Sequence, residues 1–160
     1  MSERRIEDKM KDVLDGTVLQ DALAFAKFLQ ACDVEVSGVD ADGGVQVTYN
    51  GDSIGFILVK GGEGNHEPWI IWLEGDYSSM NAKVPFDERM KEIVWANVNP
   101  CGSELCGNCS EPGIRRIVFG KEFNNICRYT TLKFVAPDAE ALKCLDKVFE
   151  MRKNEILGRQ

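Results

Sequence analysis

Four cysteines within one short stretch constrain the fold of this chain more than any other feature. They follow the pattern Cys101-x4-Cys106-x2-Cys109, and Cys127 comes after seventeen intervening residues. A zinc ion in a protein is held tetrahedrally by four thiolates or imidazoles, and short loops with paired cysteines supply that geometry. The spacing therefore predicts a Zn²⁺ site formed by Cys101, Cys106, Cys109 and Cys127.

The predicted zinc is structural, because four thiolates fill the coordination sphere and leave no position for water. Zinc with four thiolates carries a charge of roughly -2, which nearby cations should offset. The stretch from Cys101 to Lys133 has a local charge of +2 in a chain of net charge -7. Its cations are Arg115, Arg116, Lys121, Arg128 and Lys133, and its anions are Glu104, Glu111 and Glu122.

Three other interpretations of the cysteines stay open. The Cys-x4-Cys-x2-Cys spacing also occurs in plant-type ferredoxins and would suit an iron-sulfur cluster, although Glu104 and Leu105 are bulky for a tight cluster loop. Cys106 and Cys109 also have the spacing of a redox dithiol, but a Pro112-Gly113 turn follows them where such a motif needs a helix. The third alternative is that the cysteines share no site.

Length and composition suggest one domain covering residues 1–160, with a charged N-terminal segment (1–16) and a cysteine-rich loop region (100–128). A net charge of -7 and a pI near 4.8 argue against DNA as a partner. The N-terminus has no apolar signal region, and no apolar run is long enough to cross a membrane. We therefore expect a cytoplasmic protein, in which clustered cysteines more often bind metal than form disulfides.

The first half of the chain predicts a helix followed by antiparallel strands. Thr17-x-x-Gln20 has the form of a capping box, and apolar residues recur at helical spacing as far as about residue 31. The predicted buried stripe of this helix contains Val18, Ala22, Phe25, Ala26 and Leu29. Asp42-Gly43 and Asn50-Gly51 are hairpin signals, and they predict three strands over 34–39, 45–49 and 53–60.

The second half predicts the remaining elements of an α+β fold. A strand over 69–73 precedes a helix over 86–98, and the cysteine-rich region is followed by strands over 114–119 and 129–135. A last helix begins near Pro137 and ends at Gly158. The expected architecture is an antiparallel β-sheet of about six strands with a helix near each end and one in the middle.

Apart from the cysteines, the candidate functional residues are one histidine and a group of aromatic side chains. His66 is the only histidine and can act as a general base, but no nucleophile lies beside it in the sequence, so no catalytic residue is assigned. Trp69, Trp72, Tyr77 and Trp95 can line an apolar ligand pocket with His66. Aromatic residues at this spacing more often belong to the core.

The residues around the cysteines also resemble a known group. Cys106-Gly107-x-Cys109, Pro112-Gly113, Gly120-Lys121-Glu122-Phe123 and Cys127 together resemble a segment of small bacterial proteins of clostridial type. This resemblance covers mainly residues 95–157 and implies no activity. The order of elements is also similar to small α+β ligand-binding modules attached to bacterial regulators, which is a likeness of fold alone.

These features together favour a cytoplasmic zinc-binding protein that acts as a binding or sensing module for a small molecule or a protein, with a homodimer left open. Its ligand would lie between the sheet and the helices. The alternative is an enzyme, with acid-base chemistry near His66 or thiol redox chemistry at Cys106 and Cys109. An iron-sulfur protein is a lesser alternative.

Overall fold

The computed structural model describes residues 5–40, 43–60, 68–75, 77, 84–102 and 110–158. The helices in these residues are α1 (Ile6–Val13), α2 (Gly16–Ala31), α3 (Glu88–Ala96) and α4 (Ala139–Gly158). The strands are β1 (Glu35–Val36), β2 (Gly44–Tyr49), β3 (Asp52–Val59), β4 (Trp69–Leu73), β5 (Ile114–Val118), β6 (Lys121–Ile126) and β7 (Leu132–Val135). The α+β class predicted from the sequence is confirmed.

The strands form two antiparallel sheets. The larger sheet has the order β1-β2-β3-β4-β7, and β5 and β6 form a separate two-stranded sheet. The sequence predicted about six strands in one sheet, so the class is right but the partition differs. β4 pairs with β7 directly, through Ile71 opposite Phe134 and Leu73 opposite Leu132, and the β5–β6 hairpin lies outside that sheet.

One face of the larger sheet is covered by helices. Alternate residues of β2, β3, β4 and β7 point to this face, as the two-residue period of a strand requires. They are buried in one cluster with the helices and comprise Val45, Val47, Ile57, Val59, Trp69, Ile71, Leu73, Leu132 and Phe134. Phe56, Leu58 and Trp72 point to the opposite face, and Phe56 is 37% exposed.

Aromatic side chains join α2 and α4 to the sheet. Phe25 of α2 lies edge-on to Phe149 of α4, with 5.5 Å between the ring centroids, and 6.2 Å from Trp69 of β4. All three rings are almost completely buried. Burial of large aromatic side chains gives up to about 3 kcal/mol each, so this contact is a major part of the core.

Local sequence signals explain most element boundaries. Asn50 and Gly51 both have positive φ, as a two-residue hairpin turn requires, and they connect β2 to β3. The carboxylate of Asp87 accepts a hydrogen bond from the N–H of Met90 and caps α3, and Asp138 caps α4 in the same way through Ala141.

The structure departs from the sequence analysis at three places. The charged N-terminal segment contains helix α1, whose Ile6 and Met10 are buried. α2 begins at Gly16, one residue before the predicted capping box at Thr17, and the side chain of its N-cap residue Asp15 makes no capping hydrogen bond. Val18 was expected in the buried stripe but is 39% exposed.

None of the described helices is long and apolar enough to span a bilayer.

We expect Gly55→Ala to lower the free energy of unfolding of the protein. A Cβ at residue 55 would lie 2.0 Å from the carbonyl oxygen of Trp72 and 3.1 Å from the Cα of Leu73, so the β3–β4 pair would have to separate. The expected loss is about 3 kcal/mol in the free energy of unfolding, measured by urea denaturation. Gly158→Ala is the matched control, because a Cβ there meets nothing within 4 Å. Equal stability of the two variants would contradict this account of the β3–β4 contact.

Candidate functional site

Two of the four predicted metal ligands lie in the described part of the chain. Cys101 and Cys127 are described, whereas Cys106, Cys109 and His66 lie outside the described residues. After α3 the chain runs extended, and Pro100 forms an antiparallel bridge with Ile126 at the end of β6. Cys101 donates its backbone N–H to the carbonyl of Asn125 at 2.9 Å, and Cys127 donates to the carbonyl of Asn99 at 2.9 Å.

This register places the side chains of Cys101 and Cys127 on the same face of the short ladder. Side chains alternate along each strand, so both cysteines point away from the face used by the Pro100–Ile126 pair. Cys101 lies opposite Asn125, and Cys127 is therefore its diagonal neighbour. Diagonal neighbours have Cα atoms about 7–8 Å apart, a separation that two thiolates with Zn–S bonds of about 2.3 Å can bridge.

The chain returns directly against Cys101 after residues 103–109. A Cβ on Gly113 would lie 2.7 Å from the Cβ of Cys101 and 2.4 Å from the amide oxygen of Asn125. The thiol of Cys101 donates a long hydrogen bond of 3.8 Å to the carbonyl of Glu111. Gly113 is thus required by close packing, and the two ends of the cysteine-rich segment meet at Cys101.

The thiol of Cys127 lies in surroundings that favour its ionised form. Burial raises its pKa, but this effect is outweighed by hydrogen bonds from the hydroxyl of Thr130 and the backbone N–H groups of Thr130 and Tyr129, together with the charge of Arg116. The pKa of Cys127 is therefore lowered from its ordinary value. N–H and O–H donors around a sulfur are the arrangement that supports a metal-bound thiolate.

Asn99 holds the bend that presents Cys127. It is 4% exposed, and its backbone bonds both ends of the bend, through its carbonyl to Cys127 and through its N–H to the carbonyl of Thr131. Its side-chain amide donates to the hydroxyl of Thr130 at 2.8 Å, and that hydroxyl lies 3.5 Å from the sulfur of Cys127. Since the hydroxyl oxygen accepts from Asn99, its proton is directed to the sulfur.

The cations predicted to offset a metal-thiolate charge serve different purposes. Arg116 is the one whose charge lowers the pKa of Cys127. Arg115 pairs with Glu122 at 3.0 Å, Arg128 pairs with Glu111 at 3.7 Å, and Lys121 lies over the rings of Trp95 and Phe123. The expected local excess of positive charge is thus mostly used in ion pairs and ring contacts.

No three His, Cys, Asp or Glu side chains converge as a metal site within the described ranges. Cys101 and Cys127 are two members of the predicted set of four, and a complete set requires Cys106 and Cys109. The described half therefore leaves the four-cysteine site as a prediction.

The structure does not bring the predicted aromatic pocket together. Trp69 and Trp72 point to opposite faces of β4, and Trp69 is fully buried against Phe25. Tyr77 is buried beside Phe119 and donates to the carbonyl of Glu74, while the indole N–H of Trp95 donates to the carbonyl of Val118 at 2.7 Å. As expected for aromatic residues at this spacing, most of these side chains serve packing.

A cleft that the sequence analysis missed lies between the helices and β2. It has a volume of about 730 Å³, within the usual range of small-molecule sites. Its walls come from α2, from the end of β2, from α3 and from the outer turns of α4. The lining residues are Phe28, Cys32, Tyr49, Met90, Lys143, Asp146, Lys147, Glu150, Lys153, Asn154 and Leu157.

Asp146 is the most unusual group in this cleft. It is half-buried, and burial raises its pKa to about 6, an effect that Lys147 only partly opposes. It makes no hydrogen bond or ion pair with the side chains that the structure describes. Nearby, burial raises the pKa of the Cys32 thiol, so Cys32 is a neutral thiol here. Perturbed carboxylates in clefts are frequent at functional sites.

Comparison of the chain with protein-family models, with curated proteins and with solved structures gave no match. The likeness to small clostridial-type proteins therefore stays an expectation. The function has to be argued from the cysteine ladder and the cleft themselves.

We expect Thr130→Val to raise the pKa of Cys127 in metal-free protein, because valine keeps the shape of threonine but donates no hydrogen bond to the sulfur. The pH dependence of iodoacetamide labelling, followed by mass spectrometry of the peptide that contains Cys127, measures the change. Labelling of Cys32 in the same samples is the internal control. An unchanged labelling midpoint at Cys127 would show that the hydroxyl does not stabilise the thiolate.

We expect Asp146→Asn to stabilise the protein above pH 6. A carboxyl group whose pKa is raised by folding does not lower the stability of the protein at a pH below about 4, its pKa in the unfolded chain, because it is neutral in both states there. The penalty grows as the pH rises from about 4 to 6 and is complete above that. Because the group is half exposed, we expect a gain of only about 1 kcal/mol at pH 7.5 that vanishes near pH 4.

Urea denaturation between pH 4 and 8 measures this difference. Asp8→Asn is the control, since Asp8 is exposed on α1. A gain that is equal for the two variants, or independent of pH, would contradict the raised pKa of Asp146.

Proposed function

We propose that this chain is a zinc-binding protein whose structural site consists of Cys101, Cys106, Cys109 and Cys127, and that it acts as a small-molecule or protein binding module. The observation that carries the zinc proposal is the backbone register around the Pro100–Ile126 bridge. This register brings two cysteines that are twenty-six positions apart in the sequence onto one face of one ladder.

The chain length allows the other two cysteines to reach the same point. Cys109 precedes Glu111 by two residues, and two residues of extended chain span at most about 7 Å. The carbonyl of Glu111 is 3.8 Å from the sulfur of Cys101. Cys106 precedes Cys109 by three residues in the same segment. Both ends of this segment lie beside Cys101. The spacing of Cys106 and Cys109 is that of a zinc knuckle.

The hydrogen bonds at Cys127 support a thiolate ligand. Its sulfur is surrounded by the Thr130 hydroxyl, two backbone N–H groups and the charge of Arg116. Asn99 fixes the Thr130 hydroxyl from a buried position, so this donor would be oriented before a metal binds. Donors in such positions orient metal ligands and tune their basicity.

A site with four thiolates is closed to substrate. The zinc would therefore tie the segment 101–109 to Cys127 at the end of β6 and would not take part in a reaction. The binding activity then belongs to another surface of the molecule, and the cleft between α2, α3 and α4 is a concave site of suitable volume among the described residues. Reduced cysteines of this kind are typical of the cytoplasm, which we infer as the location.

We expect the protein purified without oxygen to contain one zinc per chain and no stoichiometric iron. Cys101→Ser and Cys127→Ser should each lower zinc content by at least half and lower the melting temperature. Cys32→Ser, which changes a cysteine away from the ladder, should keep both values. Inductively coupled plasma mass spectrometry and thermal melts measure these changes.

Two results would overturn the zinc proposal. Stoichiometric iron with a visible charge-transfer spectrum would indicate an iron-sulfur cluster. Full reactivity of Cys101, Cys106, Cys109 and Cys127 towards a thiol reagent, with no change when a chelator is added, would indicate free thiols or a redox pair at Cys106 and Cys109.

A further inference from the structure

The cleft lined by α2, α3 and α4 combines an unpaired carboxylate, several ammonium groups and an apolar wall. Its charged side chains come from successive turns of α4 and comprise Lys143, Asp146, Lys147, Glu150 and Lys153. They have the i,i+3 and i,i+4 spacings at which opposite charges pair on a helix. Nonetheless, no ion pair joins any of them to another side chain in the described ranges, so Lys143, Asp146, Lys147 and Glu150 remain available to a ligand.

Lys153 already has partners. Its ammonium group donates to the carbonyl of Cys32 at the C-terminal end of α2, and it lies 4.9 Å from the ring centroid of Tyr49. A cation at the C-terminus of a helix is stabilised by the exposed carbonyl groups there. Lys153 thus closes one end of the cleft, between α2 and β2.

Asp146 is the half-buried carboxylate of the cleft, and none of the described side chains pairs with it. Its half-buried carboxylate faces the cleft near Cys32 of α2, and Lys147 is the cation that acts on it. From its own helix Lys143 and Glu150 also line this space, and Lys153 lies beyond them. A desolvated carboxylate is costly unless it is hydrogen-bonded or paired. A ligand that brings an ammonium group would supply the missing partner.

An amine alone would fit this cleft poorly. Three lysines line the cleft against two carboxylates, so the lining carries an excess of positive charge in a chain that is acidic as a whole. Lys143 and Lys147 are i,i+4 neighbours on the same face of α4, and they flank Asp146 in the sequence. A ligand that carries a carboxylate beside its ammonium group would match both signs of charge.

The rest of the cleft is apolar. Phe28 of α2 and Met90 of α3 form its walls, and Leu157 lies at its rim with 45% of its surface exposed. The ring of Phe28 is held in place by Phe25 and Phe149, with centroids 5.9 and 6.2 Å away. A rigid aromatic wall beside a few convergent charges is typical of a small-molecule site.

We propose that this cleft binds a small apolar zwitterion, with its ammonium group at Asp146, its carboxylate at Lys143 and Lys147, and its side chain against Phe28 and Met90. Free apolar α-amino acids and short apolar peptides share this chemistry. The proposal goes beyond the zinc site, because none of the residues that line the cleft belongs to the cysteine-rich region.

Isothermal titration calorimetry on the full-length, zinc-supplemented protein tests the proposal. The probes are L-phenylalanine, L-leucine and L-methionine, with Leu-Leu and Phe-Leu as peptides. N-acetyl-L-phenylalanine lacks the ammonium group and L-phenylalanine amide lacks the carboxylate. We expect a free amino acid or a peptide to bind, which identifies the source, and each blocked derivative to bind at least about tenfold more weakly than its zwitterionic parent.

Two variants locate the binding. Asp146→Asn should weaken binding of the best probe by at least about tenfold, because it removes a charge-assisted hydrogen bond. Asp8→Asn, the same change on exposed α1, should leave binding unchanged. Asn154→Trp should block the cleft and remove binding while circular dichroism shows a folded protein. Since Asp146→Asn is expected to be at least as stable as the parent, its loss of binding cannot come from unfolding.

Three results would overturn the proposal. The first is that no zwitterion of this panel binds at millimolar concentration. The second is that the blocked derivatives bind as tightly as their parents. The third is that the best probe binds Asp146→Asn and the parent protein equally well.

Discussion

The helical covering of one face of the five-stranded sheet is the constraint on which the rest of this structure depends. β2, β3, β4 and β7 contribute alternate apolar residues to that face. Phe25 of α2 and Phe149 of α4 belong to the same buried cluster and contact each other. α3 is joined to this layer through Cys144 of α4, whose thiol donates to the carbonyl of Met90 at 3.5 Å. Fixing α3 also fixes where the chain leaves it, and so where Cys101 lies.

The segment that follows α3 connects the two sheets by backbone hydrogen bonds. Val98 forms a bridge with Leu132 of β7, and Pro100 forms a bridge with Ile126 of β6. The chain between these two partners bends away, and Asn99 fills the bend with both its backbone and its side chain. The position of Cys127 is therefore fixed by its contacts with the buried residue Asn99, which the spacing of the cysteines does not reveal.

The β5–β6 hairpin shows how packing can override turn chemistry. Phe119 has a φ of 44°, a left-handed conformation that a bulky residue seldom adopts. Its ring lies 4.9 Å from Phe86 and 6.0 Å from Tyr77, and its backbone N–H donates to the carbonyl of Tyr77 at 2.7 Å. These contacts offset the strain of the positive φ at Phe119. The local sequence contains no signal that predicts this turn.

The sequence predicted the elements whose periodicity is strong and missed those that depend on distant partners. The Asn50-Gly51 signal correctly predicted the β2–β3 hairpin, and the apolar stripe of the last helix correctly predicted α4. α1 was missed because its charged residues hide Ile6 and Met10, which have the four-residue spacing of a buried stripe. β6 was missed because it is mostly polar and buries only Ile126 fully. The cysteine pattern predicted a metal site, but the cleft is formed by residues as far apart as Phe28 and Leu157, which only tertiary packing brings together.

The described cysteines and the cleft differ in how the fold treats a charged side chain. Around Cys127 the fold supplies hydrogen-bond donors that stabilise the thiolate. Around Asp146 the fold supplies burial without a partner, so the charged form costs stability in the free protein. Such a carboxylate does not stabilise the folded protein, and carboxylates with a raised pKa in clefts are frequent at functional sites. An ammonium group that paired with Asp146 would recover that free energy, because a desolvated carboxylate is costly unless it is paired.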